Sequence, residues 1–150
     1  MRIYSTLLIA AALIGGGVLA GCGSSSSDSS TTAISKQEFL KKGNAICAKG
    51  NKQLNSLANQ TFTGKKPTQA QLDAYAKSAV PLIQSQVDGI KALGTPSGAD
   101  SQVNAILDAA QKGIDTVKSD PSTLEASNKA GPFAQANKLA SDYGLNACGG

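Results

Sequence analysis

The 150-residue chain has no histidine and no tryptophan, and it has only one arginine, Arg2. Each shortage excludes something. Without histidine the usual general base is missing, and so are the Ser/His and Cys/His pairs that make nucleophiles. No serine is followed three residues later by lysine, so a Ser-x-x-Lys nucleophile is also missing. The ten acidic residues never fall three or four apart, which leaves no helix face with paired carboxylates for a metal. The three cysteines show no Cys-x-x-Cys spacing, so they form no zinc or redox motif. The sequence therefore predicts a protein that is not an enzyme, with no catalytic residue, no metal and no cofactor. Nucleic acid is a poor partner for a chain with so little arginine and so few aromatic rings.

What is present begins with an export signal. Met1-Arg2 gives a positive start, and Leu7 to Leu19 is a short apolar run broken by three glycines. That run is too short and too interrupted for a comfortable membrane span. It leads into Leu19-Ala20-Gly21-Cys22, which resembles the lipobox of bacterial lipoproteins. The resemblance implies cleavage between Gly21 and Cys22 and attachment of diacylglycerol to the Cys22 thiol, the soft nucleophile that such chemistry needs. Residues 1–21 are then a signal peptide, and the membrane is a partner reached through the acyl chains on Cys22. Two or three chains anchor stably where one exchanges, since each buried methylene contributes about 0.8 kcal/mol. The expected location is the extracytoplasmic face of the cell membrane. Residues 22–33, rich in serine, glycine and threonine, read as a disordered tether. This leaves 34–150 as a single domain.

The domain is sparsely apolar, with 25 Ile, Leu, Val, Phe and Tyr residues among 117. A core that thin gains much from a covalent staple. With Cys22 assigned to lipid, Cys47 and Cys148 remain as a pair, and an oxidising compartment joins them. Their bridge closes a loop of about 100 residues, which contributes roughly 4–5 kcal/mol in the chain-entropy model. Charge is unevenly placed: seven lysines and a single acid, Glu38, lie between Lys36 and Lys66. Lys41, Lys49 and Lys52 share the polar side of the first predicted helix. That face suits an anionic envelope polymer or an envelope protein. It also reads as an ordinary solvated surface.

Four helical stripes are visible. Ser35-Lys-Gln-Glu38 is a capping box with Ile34 and Phe39 as its hydrophobic staple. It opens a stripe running Phe39, Leu40, Gly43, Ile46, Cys47, Gly50 and Leu54. Thr68-Gln-Ala-Gln71 is a second box, before Leu72, Tyr75, Ala76, Ile83, Val87 and Ile90. A third stripe runs Val103, Ile106, Leu107, Ile114 and Val117. The fourth is weaker, with Ala126, Ala130, Phe133, Ala140 and Tyr143 interrupted by Gly131-Pro132. Asp73–Lys77 and Asp108–Lys112 are spaced as helix-face ion pairs. Asp120-Pro121 reads as an N-cap with proline in the first turn, and Gly144-Leu145 as a Schellman ending.

Four helices of about 20–25 residues with short loops imply an all-α, antiparallel four-helix bundle with one disulfide. Closure of the bundle places the first helix beside the fourth and Cys148 near Cys47. Pro81 and Pro132 are expected to kink the second and fourth helices, either opening a groove or merely bending them. Tyr75 and Tyr143 are expected to bury their rings with the hydroxyl at the edge. The segments Ile34-Ser-Lys-Gln-Glu-Phe39, Ala45-Ile-Cys-Ala48 and Tyr143-Gly-Leu-x-x-Cys-Gly149 resemble a group of small actinobacterial lipoproteins. These have a serine-rich tether, an alanine-rich helical domain and two cysteines. The resemblance implies no activity and no site. The expected role is a non-catalytic binding or interaction module of the envelope; the alternative is a small-molecule carrier or sensor using a groove in the bundle.

The lipobox reading makes one firm prediction. Cys22→Ser should accumulate as unprocessed precursor and lose labelling by a fatty-acid probe, checked by mobility and click labelling in the native host. Continued cleavage and labelling would overturn it.

Overall fold

Helix boundaries fall where capping chemistry puts them. In the computed structural model, which describes residues 33–64, 66–125 and 130–149, Ser35 Oγ accepts from the Glu38 amide at 3.2 Å and opens α1, Lys36–Thr61. The expected signal peptide, the Gly21–Cys22 bond, Cys22 itself and nearly all of the expected tether lie outside the described residues. Glu38 does not complete its capping box. Its carboxylate turns to Lys42, 2.6 Å away on the exposed face, and this ion pair holds the carboxyl below its ordinary pKa. Thr68 and Gln71 do form the full reciprocal box, at the start of α2, Gln69–Ala92. A turn closed by the Ala99 N–H donating to the Pro96 carbonyl at 3.0 Å leads to α3, Asp100–Ser119.

The fourth segment departs from expectation. Asp120 caps a five-residue 3-10 turn, Pro121–Glu125, accepting from the Ser122 amide at 3.0 Å. The last helix, α4, is only Ala134–Tyr143, ten residues. Pro132 therefore kinks nothing, because it precedes the helix, while Pro81 does lie inside α2. Of the fourth stripe, Ala130 is exposed and Ala126 lies outside the described residues. Gly144 ends α4 with a left-handed φ of 106°. The Leu145 N–H donates to Ala140 at 2.8 Å and the Gly144 N–H to Ser141 at 3.0 Å, which is the Schellman closure. The Asp73–Lys77 and Asp108–Lys112 pairs are not among the ion pairs of the described residues. Asp73 instead accepts from Gln69 Nε2 at 2.8 Å, one turn earlier.

The described residues are all-helical, with four α-helices and no strand. They pack as a helical bundle. α1 and α2 run in opposite directions: Gln71 donates to the Thr61 carbonyl, Gln86 lies over Gly50, and Ile46 packs on Gly89. Phe39, Leu72, Ile114 and Leu145 are the large side chains sealed within the core. α2 packs on α3 and α3 on α4, but α1 makes no close backbone approach to either α3 or α4.

Side chains at the end of α4 and the C-terminal tail close that side instead. Phe39 meets Tyr143 edge to face at 6.0 Å. Leu145 sits where a Cβ on Gly43 would be, 2.6 Å from its Cδ2. Asn44 Nδ2 donates to the Gly144 carbonyl at 3.1 Å, and Asn44 Oδ1 accepts from the Ala147 N–H at 2.7 Å. Two turns further on, Asn51 Nδ2 donates to the Ala147 carbonyl at 2.7 Å. Between the two asparagines, Cys47 and Cys148 form the expected disulfide, with Cα atoms 5.1 Å apart across a separation of 101 residues.

Thr31–Gly150 makes one compact unit with its own core, as a segment that folds by itself does. Reducing the bridge, or replacing both cysteines by alanine, should lower its melting midpoint by more than about ten degrees, because about 4–5 kcal/mol is a large part of a typical 5–15. Circular dichroism at low temperature should still report helix. A shift of only a degree or two in calorimetry would mean that Asn44, Asn51 and Leu145 hold the tail unaided.

Candidate functional site

Burial along α1 fades toward its C-terminus. Gly50 is its last fully buried residue, yet the apolar stripe continues through Leu54, Leu57 and Ala58, all half-buried. A ten-residue α4 is too short to cover a 26-residue α1. What remains is an open cavity of about 430 Å³ between the later half of α1, α2, α3, the 3-10 turn and the entry to α4. That volume lies within the usual range for small-molecule sites, about 300–1,000 Å³. The apolar wall includes Leu54, Ile83, Val87, Leu107, Leu124 and Phe133. Leu54, Ile83 and Leu107 are stripe residues that remain half-buried.

Polar groups punctuate this wall. Asn51 and Asn55 enter from successive turns of α1, Gln86 from α2 and Asn137 from α4. Asn51 is committed to the tail through Ala147. Among the described residues, the carboxamides of Asn55, Gln86 and Asn137 have no hydrogen-bond partner. Tyr75 lines the same space and packs against Phe62 with ring centroids 5.0 Å apart. Burial pushes its phenol above the ordinary pKa of 10.0, so at neutral pH the hydroxyl is a donor. Carboxamides neither take up nor release protons near neutrality. The chemistry this arrangement offers is hydrogen bonding to a guest, inside an apolar enclosure. Cys47 and Cys148 border the cavity, so the disulfide fixes part of its rim.

A groove is one of two outcomes expected of the proline kinks, and this cavity does not come from them. Pro81 is exposed and does not line it; Pro132 does, from the turn before α4. The length mismatch between α1 and α4 opens the seam. Tyr143 is also placed differently from expectation. Its hydroxyl is not at an edge but buried, with no partner among the described residues. The Phe39 contact draws the whole ring inward, and burial raises the phenol pKa. Lys36 Nζ stands 4.7 Å from the centroid of the same ring. Lys41, Lys49 and Lys52 are all exposed and outside the ion pairs of the described residues. The cavity amides escaped the sequence reading. Their one signal was position: Asn51, Asn55 and Gln86 flank the apolar stripes of α1 and α2 without belonging to them.

No helix of the described residues is long and apolar enough to cross a membrane. The chain matches no protein-family model, no curated protein and no solved structure.

Proposed function

We propose that the protein is a lipid-anchored, extracytoplasmic, non-catalytic binding module of the cell envelope, of the small actinobacterial lipoprotein kind, and that the seam cavity is where it binds. Cys22 carries the acyl anchor, and residues 22–33 tether a domain of the antiparallel four-helix type. The observation that carries the reading is the cavity itself: apolar walls with carboxamides unused among the described residues. Apolar enclosure with a few convergent polar groups is the ordinary make-up of a small-molecule site. The Thr31–Gly150 domain should give saturable, one-to-one fluorescence enhancement with N-phenyl-1-naphthylamine. Ala110→Phe, which fills the α3 wall, should abolish it while circular dichroism stays helical. Enhancement that is absent, or that survives the filling, would overturn the reading.

A second contact is favoured by the exposure of Lys41, Lys49 and Lys52 on one side of α1. That face suits an anionic envelope polymer or protein surface. Vesicles containing phosphatidylglycerol should retain the domain in low salt and release it in high salt. Triple substitution to glutamine should remove the retention and leave the melting midpoint within a few degrees, because exposed charges each contribute little. Retention by the triple variant would rule this contact out.

A further inference from the structure

We infer that the cavity selects an uncharged amphiphile, an apolar body bearing one hydroxyl, carbonyl or amide head, and that Gln86 is the side chain that holds the head. This rests on the cavity reading above and adds to it the class of guest and the residue that chooses it. The body follows from the walls: Leu54, Ile83, Leu107 and Phe133 are surfaces that an alkyl or alicyclic skeleton would cover. The head follows from the amides. A carboxamide both donates and accepts, so it satisfies a hydroxyl, carbonyl or amide fully. A carboxylate or ammonium seated there would find no opposite charge on the described part of the wall, and burying an unpaired charge is far costlier than burying a neutral dipole.

Gln86 is singled out by its position. Its carboxamide lies directly across Gly50, in space that a Cβ on that residue would occupy. It also lines a second groove of about 350 Å³ along the α1–α2 contact, beside Ile46, Lys49 and Leu82. The side chain therefore stands between the two, long enough to turn its amide toward a guest. Glycine at position 50 is what makes room for it. Since the group that would clash is the far end of a flexible chain, Gly50→Ala should displace the amide rather than the backbone, and alanine favours the helix.

The test is displacement of N-phenyl-1-naphthylamine from the Thr31–Gly150 domain at neutral pH by 1-decanol, decanamide, decanoate and decylammonium, which share one chain length. Decanol and decanamide should compete about tenfold or more better than either ion. In Gln86→Leu, the ratio of decanamide affinity to dye affinity should fall by about tenfold. Gly50→Ala should reproduce that fall with the melting midpoint kept or raised, and it carries the test if Gln86→Leu folds poorly. Equal competition by decanoate or decylammonium would overturn the selection of a neutral head. A head preference that survives both variants would overturn the role of Gln86. Failure of the dye to bind the unaltered domain at all is a different result: it removes the cavity reading, and this inference with it.

Discussion

The structure depends on the pinning of a short C-terminal tail along the first half of α1. On that flank no helix backbone comes close to α1, which approaches α2 alone in that sense, and side chains from the end of α4 and the tail bridge the gap. Without the end of α4 and the tail, one side of Phe39, Gly43, Asn44 and Cys47 would lose its cover. Instead Tyr143, Leu145, Ala147 and Cys148 are laid down in step along Phe39, Gly43, Asn44, Cys47 and Asn51. The apolar contacts supply burial, and the two asparagines satisfy tail backbone groups that water would otherwise have to solvate. The disulfide acts on the other side of the equilibrium, restricting an unfolded chain whose two cysteines are 101 residues apart.

The pinning also decides where the cavity begins. Cys47, Cys148 and Asn51 belong both to the closed part of the seam and to the rim of the open part. Beyond them α1 continues for more than two turns, where Leu54, Leu57 and Ala58 are only half-buried. The tail and the cavity therefore share residues.

Much of this was legible in the sequence because much of it is local. Helix starts at Ser35 and Thr68, the proline turn before α3 and the Schellman ending at Gly144 are each set by a few neighbouring residues. The Cys47–Cys148 bridge followed from cysteine arithmetic and compartment. The misses are of two kinds, a local competition between partners and pairings that only the fold creates. Glu38 had two satisfactory partners within reach, and an exposed lysine one turn away outcompeted the cap. The length of α4 depended on whether the chain could stay helical through Gly131-Pro132 against a neighbour, which periodicity does not report. The cavity amides had no motif, because nothing in sequence links Asn55, Gln86 and Asn137 until three helices bring them together. Asn44 and Asn51 did leave a trace: they are seven residues apart, two turns on one side of α1, bracketing Cys47.

The short α4 and the thin core are two aspects of one design. A chain selected for stability alone has easy remedies for an open seam: extend α4, trim α1, or fill the gap with leucine. Here the half-buried wall residues Leu54, Ile83 and Leu107 keep part of their apolar surface in water, which forgoes stabilisation of about 25 cal/mol for each square ångström left uncovered. The disulfide on the rim offsets that loss through the unfolded state, so the seam can stay open without the fold giving way. Carboxamides at the seam fit the same logic. They are poor at filling an apolar gap and good at holding a polar group that enters it. An open, stapled, amide-studded seam is the arrangement that the proposed binding role calls for, since a guest would cover the apolar surface and pair the amides.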